Sequence, residues 1–412
     1  MTSSDDSTDG PSASDPNGHA GAGERTAADP PADPIAAALG DAPDAVAARV
    51  LERTRRWVER ETPTGDANRA EALAAEIGDA LHALGAGVEL VDAPGWGRHV
   101  YAHLDAREGG APLLLLGHFD TVHPVGTLAD RPFRVEDGRA YGPGIFDMKA
   151  PLAVLVEALA VVRHESGGPR RPLRVLITCD EEVGSPSSWD RIETEAEGAA
   201  AVLVLEPPLP GGLVKTARKG VAHYELHVTG RAAHAGLDPE RGVSAVEELA
   251  RQILRIADLA DPPRGTTLNV GVIRGGTAGN VIAERASAVI EVRYLEPDEG
   301  ERVDRALHAL EPHAPGAALR LVGGENRPPL VRTDGVVRLY RHAREQAAAL
   351  GFELGEGTAG GASDGSIAAA LGIPTLDGLG VEGDGAHAVD EHILVDDIPR
   401  RVALLRRLLD TL

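Results

Sequence analysis

Cysteine is almost missing from this chain. Its 412 residues include one, Cys179, so no intrachain disulfide can form. That scarcity fits a reducing, cytoplasmic compartment. No apolar run reaches the roughly 18 residues that a membrane helix needs. No basic stretch followed by an apolar one opens the chain, as a secretory signal would. Base is also short: 41 Lys and Arg face 64 Asp and Glu, a formal net charge of −23. A surface of that sign excludes a general binder of nucleic acid or anionic membrane. Lysine is scarcest: only three of those 41 bases (Lys149, Lys215 and Lys219) are lysine.

What remains is ordinary globular material. Hydrophobic residues make up 42% and charged residues 25%, which excludes a wholly disordered or a fibrous chain. At about 150 residues per domain the length suggests two or three domains. Residues 1–34 are rich in Ser, Asp, Gly, Ala and Pro, with hardly any large apolar side chains. They are expected to be a disordered acidic tail.

From about residue 43 the apolar spacing predicts a helix, and a second helix runs from about 68 to 84. Four apolar runs bounded by Gly, Pro and Asp read as fully buried strands: 112–117, 174–179, 201–206 and 373–379. A helix over 149–164 follows the first of them, with Pro151 in its first turn, where a missing N–H costs little. Strand, helix and strand in this order predict an α/β domain with a mainly parallel sheet. Near 214 the character changes. Residues 220–230 alternate apolar and polar, a helix follows over 243–259, then strands near 267–273 and 286–295 and a helix over 298–310. That is a two-layer α+β unit inserted into the first. The expected division is therefore 1–34 tail, 35–214 first catalytic part, 215–327 inserted domain and 328–412 second catalytic part.

Open α/β sheets bind ligands at the carboxyl ends of their strands. Here those ends carry chemistry. The first strand runs into His118-Phe119-Asp120, the second into Asp180-Glu181-Glu182, the third into Glu206, and the glycine-rich stretch after the fourth ends in His387. Asp147 lies at the mouth of the helix that begins at 149. Histidines with carboxylates and no thiolate suit Zn²⁺, with Mn²⁺ or Co²⁺ as substitutes. Two ions sharing one bridging carboxylate could activate one water. The neighbours Glu181 and Glu182 could divide the labour, one on metal and one moving protons. Taken singly, each piece is commonplace: a lone His-x-Asp is usually a surface or core histidine, and a Glu-Glu pair is usually a solvated turn.

Together the motifs resemble the M20 metallopeptidases, and most closely the glutamate carboxypeptidase (carboxypeptidase G) branch. The matches are GHFDTV (117–122), RPFRVEDGRAYGPGIFDMKA (131–150), TCDEEVGS (178–185), LEP (205–207), GRAAHAG (230–236), GNVIAERA (279–286), GGASDG (360–365) and GAHAVDE (385–391). The resemblance implies a zinc-peptidase domain with an inserted lid and dimerisation domain, and two Zn²⁺ per chain. It implies His118, Asp147 and Glu206 as ligands of one ion and Asp147, Glu182 and His387 as ligands of the other, with Asp147 bridging. Glu181 would be the general base, and Asp120 the carboxylate that holds His118 in its ligating tautomer. The Asp147–Met148 peptide would be cis. His234 would stabilise the oxyanion in a neighbouring subunit's site, which implies a homodimer through the lid. Asn280 would contact a substrate carbonyl or carboxylate, and Gly360 would also lie against substrate. Arg293 would bind the substrate's α-carboxylate, as a guanidinium fork can.

The chain departs from the branch's pattern in two ways. Arg327 matches one of the basic residues that read a glutamate side chain. The other falls near 213–219, where the register leaves Leu213 at its place or one of the bases Lys215, Arg218 and Lys219 as the candidate. The long acidic tail is the second departure. The implied substrate is a small molecule or short peptide with a free carboxylate, cleaved to release a glutamate-like amino acid. A deacylase of N-acyl amino acids on the same fold and a non-catalytic carboxylate or peptide sensor are the alternatives. Of the remaining residues, Cys179 is expected in the core, His123 in a loop, and His223 and His227 on a lid strand facing solvent.

Overall fold

Four consecutive leucines form the centre of the molecule. In strand Leu113–His118 every residue is buried. Leu113 and Leu115 face one apolar core, and Leu114 and Leu116 face another. A strand covered on both sides has no polar face to alternate with, which is why the sequence there is uniformly apolar. The structure is a computed structural model that describes residues 33–412. The expected tail over 1–34 lies outside the described residues, apart from its end at 33–34.

The central sheet has six strands, in the order Gly87–Ala93, Gly97–Leu104, Leu173–Thr178, Leu113–His118, Ala201–Val204 and Thr375–Leu376. The four runs read as strands from the sequence pair in parallel. The expectation of a mainly parallel sheet nevertheless needs correction, because the sheet is mixed. Gly87–Ala93 and Gly97–Leu104 form an antiparallel hairpin, and the second of them joins Leu173–Thr178 antiparallel. The cause is local: only Pro94, Gly95 and Trp96 separate the two strands, too few for the crossover that parallel pairing needs. Gly97, with φ +118°, sits where a Cβ would come within 2.7 Å of the Ala70 Cβ. The sequence reading assigns no strand to 87–104, although Pro94-Gly95 between two alternating stretches is a turn signal.

Helix Ala150–Ser166 is buried nearly all round. It shares one core with helices Pro43–Val58, Ala67–His82 and Ile398–Thr411. The opposite face of the sheet is covered from helices Trp189–Ala196 and Asp364–Ala370.

A second, antiparallel sheet has four strands, in the order Thr267–Gly275, Arg285–Tyr294, Gly220–Thr229 and Ala318–Arg327. Helices Ala245–Ala257 and Pro297–His308 pack on it around a separate core. Arg285–Tyr294 alternates between buried and part-exposed residues, the pattern of a sheet covered on one side. The fourth strand, Ala318–Arg327, is missing from the sequence reading because Gly323 and Gly324 break its alternation. Strand Val214–Arg218 stays out of this sheet and pairs in parallel with Glu356–Ala359. Among the described residues no helix is long and apolar enough to cross a membrane.

Candidate metal centre

The carboxyl ends of the parallel strands deliver the side chains. His118 ends its strand, and Glu206 follows Ala201–Val204. Asp180 follows Leu173–Thr178 and precedes the tight turn Glu181–Val183. Asp147 lies in a tight turn, Ile145–Lys149, that breaks helical geometry just before the long buried helix. The Asp147–Met148 peptide is cis, as the resemblance implied. His387 sits in a loop with φ +66°.

These residues converge. His118 Nε2 lies 3.0 Å from Asp147 Oδ1 and 3.5 Å from Glu206 Oε1. His387 Nε2 lies 3.1 Å from Glu182 Oε2 and 3.6 Å from Asp147 Oδ2. Asp147 thus turns one oxygen to each histidine, as a bridging carboxylate does. Donor atoms of His118, Glu181 and Glu206 lie within 4.8 Å of one another, and so do those of His118, Asp147 and Glu182. Two overlapping His and carboxylate groups of this kind suit a pair of cations. Glu182 Oε1 is buried with no hydrogen-bond partner. A buried acceptor left unmatched costs about 1–3 kcal/mol, and a cation would satisfy it. The donor set and this orphan oxygen both fit metal; which metal is left open by an all-N/O set.

Asp120 links the two strand ends. Its carboxylate accepts the backbone N–H groups of Glu181 and Glu182 at 3.2 and 3.3 Å and the Thr64 hydroxyl at 2.8 Å. Its Oδ1 lies 3.4 Å from His118 Nδ1, and its own carbonyl lies 3.1 Å from the same nitrogen.

Electrostatics separates the acids. Burial pushes the Glu181 carboxyl well above the usual carboxylate range, against the pull of His118 and Arg327. Burial also raises Glu182, with His387 opposing. Burial would raise Asp147 too, but hydrogen bonds from His118 and His387 override it and hold that carboxyl far below its ordinary value. For Glu206, burial and Asp147 push up while Arg218, His118 and Lys215 outweigh them, to about 2.

The ligand-like residues open onto a cavity of 440 Å³. Arg293 and His223 of the four-stranded sheet line it, with Arg218 and Arg327. Arg293 donates to Glu291 at 2.9 Å and to the Gly360 carbonyl at 3.3 Å. Arg327 is 3% exposed and already engaged: Nη1 lies 2.9 Å from Asp364, and Nη2 donates to Ser185 at 2.8 Å. Lys215 is buried behind Glu206, with Nζ 3.8 Å from its carboxylate. Neither Lys215 nor Lys219 lines the cavity; Arg218 between them does. His234 and Asn280 lie together on exposed loops, joined through the Ala235 N–H to Asn280 carbonyl bond, and line no part of this cavity.

Several functional residues escape sequence reasoning. Asp377 is fully buried; its Oδ2 accepts from Arg218 Nη1 at 2.8 Å and from Ser363 at 2.6 Å. An acid at the end of a buried apolar strand was the available signal. Glu391 closes the GAHAVDE segment, and the resemblance implies no role for it. His123 lies in a loop as expected and is buried there, with Nε2 2.7 Å from Glu391. Cys179 is buried as expected.

Fold and site together define a metal-dependent hydrolase. The chain belongs to peptidase family M20/M25/M40, whose sequence profile matches residues 114–411. It is 33% identical over 370 residues to carboxypeptidase G2 of Pseudomonas sp. (strain RS-16), covering 87% of this chain and 88% of that one. It is 28% identical over 388 residues to a succinyl-diaminopimelate desuccinylase of Delftia acidovorans, covering 88% and 98%. Among solved structures, aminopeptidase PepT of Bacillus cereus is similar with a TM-score of 0.78 and 25% identity, covering 88% of this chain and 98% of that one.

Proposed function

We propose that this hydrolase is a carboxypeptidase that cleaves an amide beside a free carboxylate and releases a glutamate-like amino acid. The observation that carries the reading is Asp147, divided between His118 and His387 at a cavity that Arg293 also lines. In this reading His118, Asp147 and Glu206 hold one ion and Asp147, Glu182 and His387 the other, both Zn²⁺ or, in its place, Co²⁺ or Mn²⁺. When bound, such a pair would polarise a carbonyl and lower the pKa of water, so that it could give up a proton and attack.

The chain's own residues do the rest. Glu181, beside the ligands, takes the proton of the attacking water and returns it to the leaving nitrogen. Asp120 keeps His118 oriented. Arg293 pairs with the substrate's α-carboxylate, and Gly360, whose carbonyl it touches, borders the same subsite. Arg218 and Arg327 add positive charge deeper in the cavity; Lys215 acts only from behind Glu206, and Lys219 does not line the cavity. The four-stranded sheet with its helices serves as the inserted lid of a homodimer. His234 and Asn280, exposed and away from their own cavity, would then complete the partner subunit's site.

A second reading is favoured by the desuccinylase relative: deacylation of an N-acyl amino acid, with the same bond cleaved and the acyl side recognised. A hydrolysis screen after reconstitution with Zn²⁺, Co²⁺ or Mn²⁺ separates the two. N-acyl-glutamates, N-acyl-aspartates and neutral analogues, each with varied acyl groups, form the panel. Carboxypeptidase action predicts tolerance of the acyl group and intolerance of a neutral amino acid. Equal turnover of neutral analogues sinks it.

A further inference from the structure

Glu391 is 3% exposed and carries no assigned role, yet its carboxylate is saturated with donors. Oε1 accepts the backbone N–H groups of Phe146 at 2.9 Å and Asp147 at 3.1 Å. Oε2 accepts the N–H of Gly144 at 2.8 Å and lies 2.7 Å from His123 Nε2. Three of these donors belong to the turn that presents Asp147. That turn departs from helical geometry, with φ +69° at Gly144 and φ −117°, ψ 91° at Asp147. Its N–H groups therefore lack the partners a regular helix would give them. Glu391 supplies those partners from the segment that carries His387.

Glu391 is in turn tied back to its own loop. His123 Nδ1 lies 3.4 Å from Arg131 Nη2, and Arg131 Nη1 donates to the Ala388 carbonyl at 2.9 Å. The turn holding Asp147 is thus joined to the loop holding His387 through Glu391, which His123 and Arg131 brace against Ala388 of the same loop. Charge-assisted bonds from a carboxylate to backbone N–H groups are roughly twice as strong as neutral ones. The His387 side chain is itself half exposed.

From this geometry we propose that Glu391 is a positioning residue that sets the separation of Asp147 and His387, so that both can hold one cation. The proposal rests on the two-ion reading above. It concerns a residue that touches neither substrate nor ion.

Glu391→Gln tests it. The amide keeps the volume but turns a donor towards either Gly144 or the Phe146–Asp147 pair. The full chain, stripped of metal, is titrated with Co²⁺ by calorimetry and visible absorption, and the metal-free protein is melted in parallel. Glu157→Gln serves as the control, a 4%-exposed glutamate paired with Arg49 at 2.7 Å on the buried helix. The wild type is expected to bind two equivalents. E391Q is expected to bind the weaker equivalent about 10–100-fold less tightly, with a metal-free melting shift no larger than that of E157Q. Wild-type affinity in E391Q overturns the positioning role alone. So does an affinity loss that E157Q reproduces. Fewer than two equivalents in the wild type overturns the two-ion reading and this proposal with it. If E391Q does not fold, His123→Ala removes only one donor; a smaller loss in the same direction supports the role, and wild-type affinity overturns it.

Discussion

Arg327 holds Glu181 from behind. Its Nη2 lies 3.2 Å from the Glu181 backbone oxygen and 3.4 Å from the carboxylate. One guanidinium therefore fixes both the main chain and the side chain of the proposed base. Its other nitrogen pairs with Asp364. Arg327→Lys cannot reproduce this fork. We expect kcat to fall about tenfold or more, as losing a charged hydrogen-bond partner implies. Steady-state kinetics checks it: a rise in KM alone would mark Arg327 as a substrate contact instead.

Glu181→Ala is expected to keep the bound metal and lose about 10²–10⁴-fold in kcat, the usual worth of a positioned proton carrier. Metal content by elemental analysis and turnover on the best screened substrate are measured together. Near-wild-type turnover would remove Glu181 from the mechanism.

The orphan Oε1 of Glu182 predicts how the stripped protein behaves. A chelator is expected to abolish activity and also to lower the melting temperature, because buried carboxylates then face one another without compensation. Returning metal should restore both. Activity that survives exhaustive chelation would contradict the metal centre.

Asp377→Asn tests the network behind Glu206. The fully buried acid offsets Arg218, and its loss leaves that charge with Glu206 as its remaining close acid. Breaking a buried pair from one side costs about 3–5 kcal/mol. Denaturant unfolding is expected to register a loss of that order; a change of under about 1 kcal/mol would mean that Glu206 alone suffices.

The four-stranded sheet has its own acid sensitivity. Hydrogen bonds from Arg302, opposed by burial and reinforced by Thr266, lower Glu299 from 4.5 to about 2. A carboxyl depressed on folding binds fewer protons folded than unfolded, so its stabilisation is complete above pH 4.5 and fades between 4.5 and 2. Glu299→Gln should flatten that acid limb and cost about 1.5–3 kcal/mol at pH 7. Melts at pH 7 and pH 3 compare the two proteins; parallel acid limbs would assign the sensitivity elsewhere.

Much of this was legible in the sequence because buried strands and their ends leave strong local signals. Leu113–His118 announces itself by composition, and His118, Glu181, Glu182 and Glu206 follow from where strands stop. The hairpin over 87–104 leaves no such signal because Gly87–Ala93 is only part-buried and the pair contains Asp92, Arg98, His99 and His103. Strand Ala318–Arg327 was lost to its two glycines. Asp377 and Glu391 act through partners far along the chain, Arg218 and the turn at 144–147, and no spacing rule connects such pairs. Lys215 drew attention by rarity, yet the residue facing the cavity is Arg218.

Strand Leu113–His118 carries a constraint that is one of counting. Its odd and even residues feed opposite cores, and His118 falls with the even set. Adding or deleting one leucine would leave the run as apolar as before and the strand as buried. It would also swing the histidine to the far side of the sheet, away from Asp147, because side-chain direction reverses at every residue. The site is thus specified by a number of residues as much as by their kinds. A change of length there should be silent to composition and fatal to the metal centre.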